Sequence, residues 1–183
     1  MQVVQLRRAV LGTTEVTGAG GVYLGIDPGL SGALALYIPA TDTLHVGDVP
    51  IHEIKRGKQT KREVDVHRLV AIFRDCAVHR PIVWIEQVGT MPGEGPVGAF
   101  TFGRTVGILT GVAIAMDLVL ERVTPQVWKR GLNVLADKDA ARARASALLP
   151  RHAHCWPLKK HDGRAEAALI ALYGARQAER LAA

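Results

Sequence analysis

Gly25-Ile-Asp-Pro-Gly-Leu-Ser-Gly32 is the stretch on which the fold turns. Residues 22–26 form an apolar run with the composition of a buried strand, and the run ends on Asp27. Pro28, Gly29 and Gly32 then impose a tight turn, after which residues 33–38 are again apolar. Residues 44–49 alternate as a third strand would. Strands joined by such short turns predict an antiparallel meander opening the domain. A carboxylate at the edge of an apolar strand is costly to bury alone. Asp27 therefore needs a partner.

Downstream of the meander the pattern changes. Residues 55–62 carry Lys55, Arg56, Lys58, Lys61 and Arg62 with no apolar period, and read as an exposed basic loop. From Asp65, a suitable N-cap, the residues Val66, Leu69, Val70, Phe73, Cys76 and Ala77 follow helical spacing until Pro81. Residues 82–85 are a short β-rich run ending on Glu86, and residues 89–98 hold too much Gly and Pro for regular structure. The next helix runs through Met116 with small residues at every fourth position: Ala99, Gly103, Gly107, Gly111 and Ala115. Such a ridge lets another backbone come close. Its partner is either the protein's own sheet or a second subunit. Residues 118–123 predict a fifth strand, residue 137 starts a helix that Pro150 ends, and the last helix covers about 163–178. The expectation is one α/β domain over 22–178, with a flexible tail at 1–21 and a short C-terminal tail at 179–183.

Composition narrows the class of partner. The chain has 183 residues, 48% hydrophobic and 22% charged, which suits a domain with a buried core rather than a disordered chain. Its formal charge of +6 favours polyanions, of which nucleic acid is the commonest. The 2 cysteines lie far apart and form no CxxC pair, so a reducing, cytosol-like compartment is expected. That suits the cytoplasm of a bacterium or a phage-infected cell. A short organelle-targeting leader is left open, although Glu15 and the lack of an amphipathic run speak against one. His152, His154, Cys155 and His161 cluster in sequence, but structural zinc favours thiolates, and a basic loop is the plainer reading. The apolar stretch 106–116 is too short to span a bilayer and reads as a core helix, so no membrane contact is expected.

Four acids stand out by position. Asp27 ends the first strand, Glu86 ends the fourth, and Asp162 and Glu166 open the last helix in His161-Asp-Gly-Arg-Ala-Glu-Ala167. Taken singly, each has a structural explanation: Asp27 caps a turn, Asp162 caps a helix, and Asp162 and Glu166 answer Lys160 or Arg164. Taken as a set, strand-end carboxylates with an i, i+4 pair on one helix face call for a shared counter-charge. Magnesium, with manganese as substitute, supplies it as a hard cation that prefers oxygen. Two such ions about 4 Å apart can clamp both oxygens of an in-line phosphoryl displacement, so no nucleophilic side chain is needed.

These motifs resemble those of the RuvC-like Holliday-junction resolvases of the RNase H-like superfamily. The resemblance rests on residues 25–32, on Ile85-Glu86, and on residues 159–171, whose run is similar to the phage and chloroplast branch. Thr124-Pro-Gln-Val-Trp-Lys129 and Lys138-Asp139 also resemble that branch. It spans about residues 22–176. It implies an RNase H-like fold with a five-stranded mixed sheet flanked by helices, a homodimer, magnesium at two ions per site, no small-molecule cofactor, and paired nicks in four-way or other branched DNA during recombination and repair. Asp27, Glu86 and Glu166 fall on the family's catalytic acids. Asp162 departs from the bacterial pattern, which spaces the last two carboxylates three apart rather than four. His161 stands beside them as a candidate for proton or phosphate chemistry. Lys159, Lys160 and Arg164 beside the acids, Lys129 and Arg130 after Trp128, and Lys55, Arg56 and Lys58 in the basic stretch are candidate DNA contacts, Trp128 itself reading as packed rather than stacked. Competing readings are an RNase H-like nuclease acting on RNA–DNA hybrids, an actin- or hexokinase-type ATPase or sugar kinase, and a structure-specific DNA-binding protein without catalysis.

Overall fold

The computed structural model describes residues 21–57, 59–89, 95–135, 137 and 139–182. The meander forms as expected: β1 (Tyr23–Asp27), β2 (Ala33–Ile38) and β3 (Thr43–Asp48) pair antiparallel in chain order. The stretch read as a basic loop is instead a hairpin of β4 (Ile51–Arg56) and β5 (Gln59–Val64), a two-stranded sheet of its own. Gly57, at φ +62, turns it in the left-handed region open to glycine. Charged side chains on both faces hide the alternation that normally marks a strand. Helix α1 (Val66–Ala77) follows, capped as predicted by the Asp65 carboxylate accepting from Arg68 N at 3.0 Å.

Next come β6 (Ile82–Glu86), α2 (Pro96–Ala115) and β7 (Leu120–Val123). Helix α2 starts inside the stretch read as irregular, because Pro96 occupies its first turn, where a missing N–H costs nothing. Helix α3 (Pro125–Gly131), also opened by proline, was not anticipated. Helix α4 (Ala140–Leu148) ends before Pro150, and α5 (Asp162–Ala182) continues past Ala178, so residues 179–182 are helical rather than a tail.

The main sheet has five strands in the order β3-β2-β1-β6-β7, with β6 and β7 parallel to β1 and to each other respectively. Helices cover both faces. On one, α5, α3 and α4 pack on Tyr23, Ala33, Ala35 and Tyr37; on the other, α1 and α2 pack on Leu24, Ile26, Leu34, Leu36, Val83 and Ile85. Helix α5 lies directly on the β1 backbone. A Cβ at Gly25 would stand 2.1 Å from the Ala167 carbonyl oxygen and 2.4 Å from Ala171 N, so glycine is required there.

Helix α2 departs from expectation. It is long and apolar enough by composition to cross a membrane, yet only 22% of its most apolar window is buried, so it is not a core helix along its whole girth. Thr105, Leu109 and Ala113 face inward, whereas Val97, Phe100 and Ile114 are exposed. Cβ atoms built at Gly103, Gly107 and Gly111 meet nothing within 4 Å. The glycine ridge therefore does not pack on the protein's own sheet.

Candidate active site

Strand parity gathers the acids. In β1, Tyr23 and Gly25 face α5, so Asp27, two residues on, does too. Strand β6 is parallel to β1 with Gly25 opposite Trp84 and Ile26 opposite Ile85. Trp84 packs toward α5 and Ile85 away from it, which turns Glu86 to the same side as Asp27. The first turn of α5 closes over this point. A Cβ at Gly163 would lie 2.7 Å from Asp27 Oδ2 and 2.9 Å from Ser31 O, so its absence lets the helix start sit against the carboxylate.

The electrostatics follow from that crowding. Asp27 is held well above the ordinary carboxylate range, chiefly by burial, then by repulsion from Glu166 and Glu86, with Lys129 opposing. Glu86, itself buried, is raised by burial; a hydrogen bond from Trp128 and the charge of Lys129 counter this, while Glu166 adds to it. The Trp128 indole N–H donates to Glu86 Oε1 at 2.8 Å. Lys129 Nζ pairs with Glu166 Oε1 at 2.9 Å and lies 5.1 Å from the centroid of the Trp128 ring. Asp27, Glu86 and Glu166 thus share one ammonium.

Asp162 is not drawn into this group. Its Oδ1 accepts from Arg142 Nε at 2.6 Å, and Arg142 Nη2 also reaches Asp139 Oδ1 at 2.6 Å. The Asp162 charge is absent from those that shift Asp27 and Glu86. His161 is buried on another side: its Nδ1 accepts from Leu158 N at 3.3 Å, and burial, then Arg164, lower its pKa, with Asp48 opposing. It stays neutral at neutral pH, beside the Arg164–Asp48 pair and not among the acids.

The candidate DNA contacts divide. Arg164 is a correction: it is buried, its Nε and Nη2 clasp Asp48 Oδ1 and Oδ2 at 2.6 and 2.7 Å, and Nη1 reaches Cys155 O at 3.4 Å. It braces α5 against the end of β3 and is not offered to a phosphate. Lys129 belongs to the acid cluster, 37% exposed. Lys160, Arg130 and Lys55 are exposed, and Lys159 is exposed with Asp139 Oδ2 at 3.8 Å. Arg56 ends β4, and Lys58 lies outside the described residues. The His and Cys residues read as a possible cluster diverge: His152 Nε2 meets Asp42 O at 3.0 Å, while His154 Nε2 lies 3.6 Å from Cys155 Sγ.

Three carboxylates against one ammonium, all oxygen donors, two of them reluctant to ionise, form a set that suits a hard divalent cation. Among the described residues, no group of three or more acidic, His or Cys side chains is close enough to hold an ion as it stands. Glu166 is paired with Lys129 and Asp162 with Arg142, so an ion bound there would compete with those pairs.

The fold has counterparts of known structure. RuvC of T. thermophilus, in complex with a Holliday junction substrate, matches 87% of this chain and 96% of its own with a TM-score of 0.57 at 21% identity. The yeast mitochondrial Holliday junction resolvase Ydc2 matches 97% of this chain and 85% of its own with a TM-score of 0.58 at 16% identity. The fold is that of the RuvC-type resolvases. The sequence comparison points the same way. The chloroplastic Holliday junction resolvase MOC1 of Chlamydomonas reinhardtii is 28% identical over 148 residues, 70% of this chain. That stretch is 17% of the longer algal protein, so the chain spans under a fifth of it. No family model matches the sequence. From sequence Trp128 reads as packed, and it is fully buried; its hydrogen bond to Glu86, the pairing of Arg142 with Asp162 and the packing role of Gly163 were not foreseen.

Proposed function

We propose that the chain is a structure-specific endonuclease that resolves four-way DNA junctions, with Asp27, Glu86 and Glu166 holding divalent metal and Asp162 joining them once Arg142 releases it. The observation carrying this reading is the convergence of Asp27, Glu86 and Glu166 where β1, β6 and the first turn of α5 meet, with Asp27 and Glu86 both raised. When bound, magnesium or manganese would supply an activated water and stabilise the leaving 3′ oxygen. The residues' own task is to hold that charge fixed at a basic surface. Lys159, Lys160 and Arg130, exposed at the ends of neighbouring elements, are the means of gripping phosphates, and the β4–β5 hairpin extends the grip along an arm. Paired nicks require two sites. A homodimer joined through the open glycine ridge of α2 would supply them, and the similarity to Holliday junction resolvases supports that choice of substrate. The thiols of Cys76 and Cys155 are free, which suits a reducing compartment, bacterial or organellar.

The test incubates the protein with labelled four-way junction, linear duplex and RNA–DNA hybrid, in magnesium and in EDTA. Only the junction should be cut, by paired nicks and only with metal. Asp27→Asn should lower the rate at least about a thousandfold while leaving junction binding intact, as expected when a metal-holding carboxylate is lost. Cutting confined to the hybrid would favour an RNase H activity. Release of phosphate from ATP without nicking would favour the kinase-type reading.

A further inference from the structure

Helix α3 sends two consecutive side chains to two different acids: Lys129 to Glu166 on α5, and Trp128 to Glu86 on β6. Trp128 is fully buried, and its ring packs in the core under α5 with Leu132 and Val123. The protein's three indoles differ in what they meet. Trp156 gives its N–H to the Ser146 hydroxyl at 3.0 Å, and the buried Nε1 of Trp84 has no hydrogen-bond partner. Trp128 alone among them donates to a carboxylate, and that carboxylate is one of the clustered acids.

An indole N–H can only donate, and a ring clamped by packing cannot turn away. A glutamate side chain left to itself samples a broad range of terminal torsions. We infer that Trp128 is a positioning residue, which fixes the plane of the Glu86 carboxylate toward Asp27 and, through its ring face, steadies the Lys129 ammonium opposite Glu166. The inference rests on the metal-dependent nuclease reading. Groups that orient a metal-holding side chain without touching the ion commonly change affinity or rate by ten- to a hundredfold when removed. A residue that only filled space would do neither once its volume was restored.

The decisive variant is Trp128→Phe, which keeps most of the apolar ring and removes the donor. In the whole 183-residue chain, junction affinity and KM should stay at wild-type values. The turnover number should fall about ten- to a hundredfold, and half-maximal magnesium should rise about tenfold. A second readout needs no cleavage. The three indole N–H signals of metal-free protein are followed by NMR, assigned by elimination with Trp84→Phe and Trp156→Phe. Added magnesium should move the Trp128 signal well beyond the other two, and Glu86→Gln should shift that same signal in the metal-free state. Wild-type turnover and magnesium dependence in Trp128→Phe would overturn the inference and leave the nuclease reading standing. Wild-type protein inert on junctions with metal would overturn the nuclease reading itself, and the inference with it. Should Trp128→Phe fail to fold, the NMR titration of the wild type decides: a Trp128 signal indifferent to magnesium overturns the inference.

Discussion

Two helices carry the same small-residue spacing and use it oppositely. Helix α5 has Gly163, Ala167, Ala171 and Ala175 at every fourth position; helix α2 has Gly103, Gly107, Gly111 and Ala115. The first ridge lies on β1 so closely that Gly25 has no room for a Cβ, and its leading glycine abuts Asp27. The second faces outward: among the described residues, Cβ atoms built at its three glycines would meet nothing within 4 Å beyond the helix itself. Small residues permit close approach but name no partner. What decides the partner is the opposing surface. Strand β1 offers a matching glycine under α5, whereas α2 turns Leu109 and Ala113 to the sheet and leaves its ridge free. The close contact is therefore also the one that builds the acid site, because it brings the helix start to the strand end.

The contrast can be broken most severely at Gly25. Replacement by valine puts side-chain atoms into the Ala167 carbonyl and should cost about 3 kcal/mol or more, the upper range of overpacking, read as a collapse of the thermal transition. Gly163→Ala sharpens the comparison. Its Cβ would lie 2.7 Å from Asp27 Oδ2, a side-chain atom able to shift, and 2.9 Å from the Ser31 carbonyl. The fold should survive with a loss of about 1–2 kcal/mol, while cleavage falls about a hundredfold because the carboxylate is displaced. A smaller effect tests the crowding of charge. Asp27 is raised in the folded protein, so its contribution to stability is fully present below the unfolded carboxylate range and lost as pH rises through the raised value. Metal-free Asp27→Asn should therefore melt above wild type at pH 7, the gap closing as pH falls toward about 4. Glu86 is raised in the same direction and remains common to both proteins. Magnesium should narrow the gap from the wild-type side. The least disturbance belongs to the open ridge, where Gly107→Ala should leave the melt unchanged or raise stability by up to about 1 kcal/mol. If a second copy seats there, the same change weakens self-association in sedimentation.

How much could be read beforehand follows from which forces leave a pattern. Asp27 and Glu86 were legible because each ends an apolar run, and strand parity carries both to one face. Glu166 was legible from helical spacing. Asp162 was legible as a candidate but not in its placement, since its partner Arg142 sits on another helix and an ion pair between helices leaves no periodic trace. Arg164 misled for a related reason. An arginine beside acids reads as a surface cation, and nothing local reveals that Asp48, 116 residues away, takes it inside. The β4–β5 hairpin was hidden by charges on both its faces. Helix α3, too short for a period, escaped notice; Trp128 was legible as a packed residue, but its bond to Glu86 was not.

The hairpin joins no edge of the five-stranded sheet, and its two ends meet where Asp65 N donates to Pro50 O at 2.8 Å. Val64, in the core, and the Arg104–Glu63 pair fasten it further along. Residues 51–64 are therefore an interchangeable fitting. On the proposed junction-cutting reading, the hairpin can be lengthened, trimmed or recharged without altering the strands and helix that carry Asp27, Glu86 and Glu166.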